Sequence, residues 1–483
     1  MRIIADFHIH SRYSRAVSRD MTPENLDMWA RKKGITVMGT GDFTHPKWLE
    51  ELKEKLEPAE EGLYQLKSPI INDPLRPPRL GEAGQSSRLG VALGEAWVSE
   101  ASKLQINSKL KISNSKTRFL PTVEIAVIYS KGGKVRRIHH LVFAPSFAAV
   151  EKINKKLLKI GNLSADGRPM LGLDSKELLK IVKDADNQAV LVPAHAWTPW
   201  FSVFGSMSGF DSLEECFEEL TPEIFAIETG LSSDPPMNWR VPALENIALI
   251  SNSDSHSLRK IGREANIFDC ELSYKNIMEA IQSRDPKKFL CTIEFFPEEG
   301  KYHYDGHRDL RHCQGPEETK KAGGRCAACG AKVTVGVLSR VEELANARSS
   351  ARRFSSVLIP TPSAAAEFIG SPPTSEKRHA RASQRIPYKS LVPLQEIIAD
   401  VYGVGVASKR VQNTYEAMIE HFGSEFTILL NASYEELARF SPEIAEGITC
   451  VHEGKVAIMP GYDGEYGKVA IVKKEKQPKL FNI

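Results

Sequence analysis

Over roughly the first 295 residues, short apolar runs alternate with longer amphipathic stretches. The runs RIIADF, GITVMGT, FLPTVEIAVIY, RRIHHLVFA, QAVLVPA, EIFAIET and IALISN have the length and residue content of strands. Helix-period segments lie between several of them. TPENLDMWARKK opens on a Thr22 cap with Pro23 in its first turn, and DSKELLKIVKDAD follows Asp174. Strands and helices alternating on this scale predict an α/β fold with a largely parallel sheet, built as a barrel or left open. The pattern breaks within 67–118, where Pro-rich and Ser/Asn/Lys-rich stretches read as an irregular insertion into a 1–295 domain. A compact Cys/His segment follows at 296–345, then a Ser/Ala/Arg/Pro-rich linker at 346–385 without sustained periodicity. Helical periodicity returns in a last domain, 386–483, which closes on the Gly/Tyr-rich stretch PGYDGEYGKVAIV.

Composition narrows this picture. The 483 residues, 41% hydrophobic and 26% charged, are those of an ordinary globular protein with more than one core. No apolar run approaches the ~20 residues that span a bilayer, and the chain enters a strand at once, without a signal-peptide pattern. A net charge of +3 does not announce a nucleic-acid partner, so any basic surface must come from local clustering. Seven cysteines, three of them between Cys313 and Cys329, fit a reducing compartment and a metal site better than a disulfide framework. The expected location is cytoplasmic.

The first strand ends in Asp6-Phe7-His8-Ile9-His10. Residues i and i+2 of a strand face one side, so His8 and His10 project together, and paired imidazoles suit a divalent cation. Further candidate ligands also stand near the ends of strand-like runs: Asp42 and His45, Glu124, His140, His195, and Asp254 with His256. In parallel α/β folds the carboxyl ends of strands gather at one face, so side chains remote in sequence can converge there. A mixed His/Asp/Glu set suits Zn, Mn or Fe, with carboxylate oxygens able to bridge two ions. Ser/His/Asp and reactive-cysteine arrangements are absent from the pattern.

These motifs, H-x-H, a D…H pair, a glutamate followed by H-L, then A-H and S-D-x-H, resemble the polymerase-and-histidinol-phosphatase (PHP) superfamily. The wider wording in GTGDFTHPKW, VPAHAWTPWFSVFGS, ETGLSSDPPMNWR, SNSDSHS and PGYDGEYG resembles, more narrowly, the endonuclease Q family. The resemblance implies a distorted β/α barrel with two to three divalent cations, Zn, Mn or Mg. It implies a metal-dependent DNA repair endonuclease that hydrolyses the phosphodiester 5′ to uracil, hypoxanthine, xanthine or an abasic site. His8, His10, Glu124 and Asp254 would hold one ion, Glu124 would bridge to a second held by His140 and His195, and His256 would serve a third. The compact T-D-H of the family is stretched here to Gly41-Asp42-Phe43-Thr44-His45, which leaves either Asp42 or His45 as the ligand. RYSRAVSRD stands where the family places a further histidine after His10, and His139 is an alternative to His140, although H-L-V favours the latter. A small-molecule phosphatase and a catalytically silent DNA-binding protein are the rival readings.

C-A-A-C-G at Cys326–Gly330 is a zinc-knuckle turn, with thiolates at i and i+3. With Cys313 and a histidine it predicts a structural Cys₃His zinc site, His307 being the first choice and His312 the second. Between two helices, Gly403-Val404-Gly405 followed by Lys409 and Arg410 resembles a helix-hairpin-helix, whose backbone N–H groups and cations hold phosphates. The aromatics Trp197, Trp200, Phe201 and Phe204 after His195 are candidates for stacking on an extruded base. The closing QPKLFNI spaces Gln477, Leu480 and Ile483 as in tails that dock on a replication sliding clamp.

Overall fold

The computed structural model describes residues 1–67, 117–347 and 385–471. The insertion, the linker and the QPKLFNI tail anticipated from sequence lie wholly or largely outside these residues. An eight-stranded sheet runs in the order Tyr388–Ser390, Phe289–Glu294, Ala265–Asp269, Arg2–Asp6, Val37–Gly39, Arg118–Leu120, Tyr64–Leu66, Leu56–Pro58. Arg2–Asp6, Val37–Gly39 and Arg118–Leu120 are parallel neighbours, whereas Ala265–Asp269 pairs antiparallel with both of its neighbours. A second sheet is built on the antiparallel hairpin of Thr122–Lys131 and Lys134–Phe143, flanked by Met170–Leu171 and Val190–Pro193. Ala226–Glu228 and Ala248–Ile250 form a short parallel pair. The fold is thus mixed α/β, and among the described residues its ladders divide into separate sheets; no single closed barrel ladder connects them. No helix among them is long and apolar enough to cross a membrane.

Local sequence explains the helices that frame the sheet. Thr22 caps Pro23–Lys33 by accepting the Asn25 N–H, and Gly34 ends that helix in the left-handed region. Asp174 caps Ser175–Ala185 in the same manner, and the buried face of that helix carries Leu178, Leu179 and Val182. Both helices open where the sequence places them.

The C-terminal helices do not hang from the sheet as a separate bead. Leu394, Ile397, Tyr415, Ile419, Ile444 and Ile448 share one apolar cluster with Leu26, Ile35, Met38 and Ile267. Strand Tyr388–Ser390 enters this domain by adding itself to the edge of the eight-stranded sheet, parallel to Phe289–Glu294. Across the seam Lys33 Nζ meets Glu425 Oε2 at 2.7 Å, and both side chains are buried. Glu425 also accepts the Tyr415 hydroxyl at 2.8 Å and the Leu394 N–H at 3.0 Å, so its lone pairs are well used. Removing one partner of such a pair strands the other charge in a low dielectric. Glu425→Ala is therefore expected to cost about 3–5 kcal/mol, read as a lower urea midpoint in far-UV circular dichroism, while Lys33→Met with Glu425→Leu recovers much of the loss.

Candidate metal centre

The centre forms where the ends of several strands meet. Beyond Arg2–Asp6 the chain stays extended, with Ile9 bridged to Ser255, so His8 and His10 point the same way with ring centroids 5.3 Å apart. His10 Nε2 lies 3.1 Å from Asp254 Oδ1 and 3.3 Å from Glu124 Oε2. His8 Nε2 lies 3.6 and 3.8 Å from the same two oxygens and, though buried, has no hydrogen-bond partner. A buried nitrogen facing two carboxylates without a proton partner fits a cation ligand. The ligand atoms of His8, His10, Glu124 and Asp254 all lie within 4.8 Å of one another.

A second group shares Glu124. Its Oε1 is 2.6 Å from His139 Nδ1 and 2.9 Å from His195 Nε2, and these nitrogens are 3.1 Å apart. This corrects the expectation of His140. Its Nε2 bonds Ser175 Oγ at 2.9 Å and its ring packs on Phe217, inside the core. The reason is strand parity. The two-residue Gly132-Gly133 turn pairs Lys131 with Lys134, which sets Glu124 opposite Leu141, Ile125 opposite His140 and Ala126 opposite His139. Side chains alternate between faces, so Glu124 and His139 share one face and His140 takes the other. The hairpin turn was visible in the sequence, and counting outward from it identifies His139.

Neither Asp42 nor His45 reaches the cation groups. Asp42 Oδ1 holds His10 Nδ1 at 3.0 Å, while its Oδ2 accepts the Ser11 N–H and the Ser11 and Ser14 hydroxyls at 2.6, 2.6 and 2.8 Å. It aims the imidazole, as carboxylates behind metal-binding histidines do. His45 precedes helix Pro46–Lys55 and stacks on Tyr13 at 4.5 Å. His256 stands at the rim, its ring 4.6 Å from that of His10 and its Nδ1 3.0 Å from the Asp254 carbonyl. Sequence reading missed Glu228 and Arg168. Glu228 closes strand Ala226–Glu228, places both carboxylate oxygens 3.0 Å from His8 Nδ1 and accepts the His195 N–H at 2.8 Å. Its position at the end of EIFAIET was the available signal. Arg168 Nη1 lies 3.0 Å from Glu124 Oε2.

Charge within the cluster follows from this packing. Burial alone would discourage charge on His8, but Glu228, Asp254 and Glu124 outweigh it and hold the imidazole well above its ordinary value. His10 is raised likewise, burial being overcome by Asp42 and Asp254. Burial also opposes the Glu124 anion, yet Arg168 and His10 keep it well below the usual carboxylate range. His139 is pulled down by burial to about 4 despite Glu124, leaving the neutral ring that binds metals. Asp42, His195 and Asp254 have φ of +51°, +29° and +45°. Three non-glycine residues in the left-handed region, all at one cluster, store local strain that the surrounding fold must hold.

The cysteine segment brings together a separate group of candidate ligands. His307, Cys326 and Cys329 form one group, with Cys329 Sγ 3.4 Å from His307 Nδ1. Gly330, at φ +73°, permits the tight return in which its N–H bonds the Cys326 carbonyl. Cys313 is not in this group, and parity again explains it. In the hairpin of Asp305–His307 and His312–Gln314, His312 pairs with His307 while Cys313 pairs with Gly306 on the other face. Burial, aided by Glu318 and Asp305, pushes the Cys313 thiol up to about 11. His312 Nε2 is buried without a partner. His312 shares the His307 face, although the group itself contains only His307, Cys326 and Cys329.

Trp197 and Phe204 cannot stack on a base. Trp197 is 1% and Phe204 2% exposed, their rings 4.9 Å apart, and Trp197 Nε1 bonds Asn238. Trp200 and Phe201 are half-buried; Phe201, at φ +61°, lies 4.7 Å from the His139 ring. At the other end of the chain, Gly403 and Gly405 form an exposed turn between helices Leu394–Tyr402 and Lys409–Phe422. Lys409 and Arg410 are exposed in the first turn of the second helix, with Arg410 over the Tyr402 ring at 3.9 Å.

Residues 393–455 match the family described as MJ0043 C-terminal domain. Over 301 residues the chain is 32% identical to the uncharacterized protein MJ0043 of Methanocaldococcus jannaschii, a match that covers 60% of this chain and 33% of that protein. The chain thus spans about a third of that relative's length. It is 30% identical to the uncharacterized protein YqxK of Bacillus subtilis, over 69% of this chain and 73% of YqxK. The crystal structure of the lesion-specific endonuclease PfuEndoQ from Pyrococcus furiosus superposes with a TM-score of 0.73 at 26% identity, covering 99% of this chain and 98% of that one. Endonuclease Q in complex with a 27-mer duplex bearing an abasic lesion at the active site also gives 0.73, at 27% identity and with both chains fully covered. The chain belongs to the endonuclease Q family. The MJ0043-type domain is the helical part of this endonuclease Q fold.

Two measurements test the side-chain assignments in this endonuclease Q centre. His139→Ala should lose one equivalent of metal by inductively coupled plasma mass spectrometry, whereas His140→Ala should keep it and lose about 1–3 kcal/mol of stability. His312→Ala should release zinc on mild chelation, whereas Cys313→Ser should retain it; the opposite result restores Cys₃His.

Proposed function

We propose that this chain is a metal-dependent DNA repair endonuclease that hydrolyses the phosphodiester on the 5′ side of a deaminated base or an abasic site. One observation carries the reading: two cation-ready groups share Glu124 at a partly open mouth, within a fold that matches endonuclease Q over its full length. Divalent cations bound there, zinc, manganese or magnesium, supply a nucleophilic water at neutral pH and neutralise charge on the leaving oxygen. His8, His10, Glu124 and Asp254 hold one cation in this reading, and Glu124, His139 and His195 the other. Asp42 and Glu228 fix the imidazole rings, and His256 at the rim serves a third in this reading. The hairpin at Gly403–Gly405 with Lys409 and Arg410 grips phosphates without reading sequence. Phe201, beside His139, and Trp200 take the face of the extruded nucleotide. The Cys/His segment holds one structural zinc.

Duplexes carrying a single uracil, hypoxanthine, xanthine or abasic site, incubated with each metal in turn, test this. Incision 5′ to the lesion, leaving a 3′-hydroxyl and a 5′-phosphate, is expected, with undamaged duplex left intact. Absence of incision under every metal would overturn the reading. Lys409→Ala with Arg410→Ala should weaken binding to damaged and undamaged duplex alike and flatten its salt dependence.

A further inference from the structure

We propose that Arg168 receives the scissile phosphate at the metal centre. It is an anion-binding group that leans on Glu124 only until cations take that carboxylate. The inference deepens the phosphodiesterase reading above and rests on it for the identity of the anion.

The position is built. On one side of Arg168, the Pro169 carbonyl accepts the N–H of Ala126, two residues beyond Glu124 on the same strand. On the other side, the Gly167 N–H bonds the Tyr13 carbonyl, and a Cβ at residue 167 would overlap the Asp42 carboxylate and the Ser14 hydroxyl. Asp166 accepts the Arg168 N–H at 3.1 Å and pairs with Arg15 Nε at 3.2 Å. The backbone is therefore fixed to the strand that carries Glu124 and to the segment that carries His10. This sets where the guanidinium emerges.

It emerges at the open side of the cluster. The side chains of His8, His10 and Glu124 are at most 1% exposed, whereas Asp254 is 28%, Arg168 29% and His256 35% exposed. A substrate must approach across these last three. A guanidinium presents five N–H donors in a planar fork matched to phosphate. Among the described residues, its side-chain bond is the single one from Nη1 to Glu124. The fork keeps donors for a ligand.

A purely structural role would be to neutralise Glu124. That role becomes redundant once cations occupy the groups, because Glu124 belongs to both of them. A guanidinium left beside two dications is repelled unless an anion lies between them. A phosphate oxygen is the anion that this site is proposed to process.

The test compares wild type with Arg168→Ala and Arg168→Lys. Arg168→Ala should bind manganese at least as tightly as wild type by isothermal titration calorimetry, since a competing cation has gone. Single-turnover incision of a uracil duplex should fall about 100-fold, the usual loss when one preorganised donor to developing charge is removed. Lesion-duplex affinity should change little, and added guanidinium ion should restore part of the rate in Arg168→Ala and none in wild type. Arg168→Lys should fall between, because the charge remains without the fork. Independently of incision, inorganic phosphate should bind manganese-loaded Arg168→Ala about tenfold more weakly than loaded wild type. Failure of wild type to incise would overturn the nuclease reading and leave the phosphate titration to decide Arg168. Unchanged phosphate binding, a normal Arg168→Ala rate, or loss of manganese from that variant would each overturn this inference.

Discussion

The whole N-terminal architecture answers to one carboxylate. Glu124 is fully buried and stays ionised, because the imidazoles of His8, His10, His139 and His195 and the guanidinium of Arg168 close around it. Those groups come from strands and loops scattered from residue 8 to residue 195, so the charge can be paired only when the separate sheets meet correctly. An ionised carboxylate in an apolar interior is prohibitively costly when unpaired. The site and the fold therefore specify each other: the strands carry the ligands together, and the ligands penalise any misregistered assembly of the strands.

The outer ring of acids extends the same logic. Asp42 and Glu228 do not enter the cation groups but grip the far nitrogens of His10 and His8. Each is itself saturated, Asp42 by Ser11 and Ser14, Glu228 by Asn252 and the backbone of His195. Orientation is thus handed outward through hydrogen bonds until it reaches backbone groups that cannot rotate. The strained φ angles at Asp42, His195 and Asp254 mark where the chain bends to meet this geometry.

Much of this was legible in the chain. H-x-H at a strand end declares itself because the strand period is two, and the strand–helix alternation, the knuckle turn and the glycine hairpin all lie where their local patterns place them. Two of the misreadings share one cause. His140 in place of His139, and the inclusion of Cys313 beside His307, both come from strand parity, where a neighbour in sequence faces the opposite side. A motif match tolerates a shift of one residue, whereas a pleated strand does not. The buried aromatics Trp197 and Phe204 were misassigned for another reason: stacking and core packing use the same residue types, and only tertiary burial separates them. Arg168 and Glu228 carried no motif, since their roles depend on contacts across the fold.

The shared apolar seam between the eight-stranded sheet and the C-terminal helices turns the molecule into a ruler. A domain on a free tether samples many separations from the catalytic centre, and its hold on a polymer then says little about where the polymer is cut. Here Lys33 and Glu425, with the cluster around Tyr415 and Ile448, lock the hairpin proposed to hold phosphates to the sheet that ends in His8 and His10. In the proposed reading, the interval between grip and cut is then a constant of the protein, counted in nucleotides along the bound strand. Changing that count would require recarving the seam; lengthening the linker sequence would leave it unaltered.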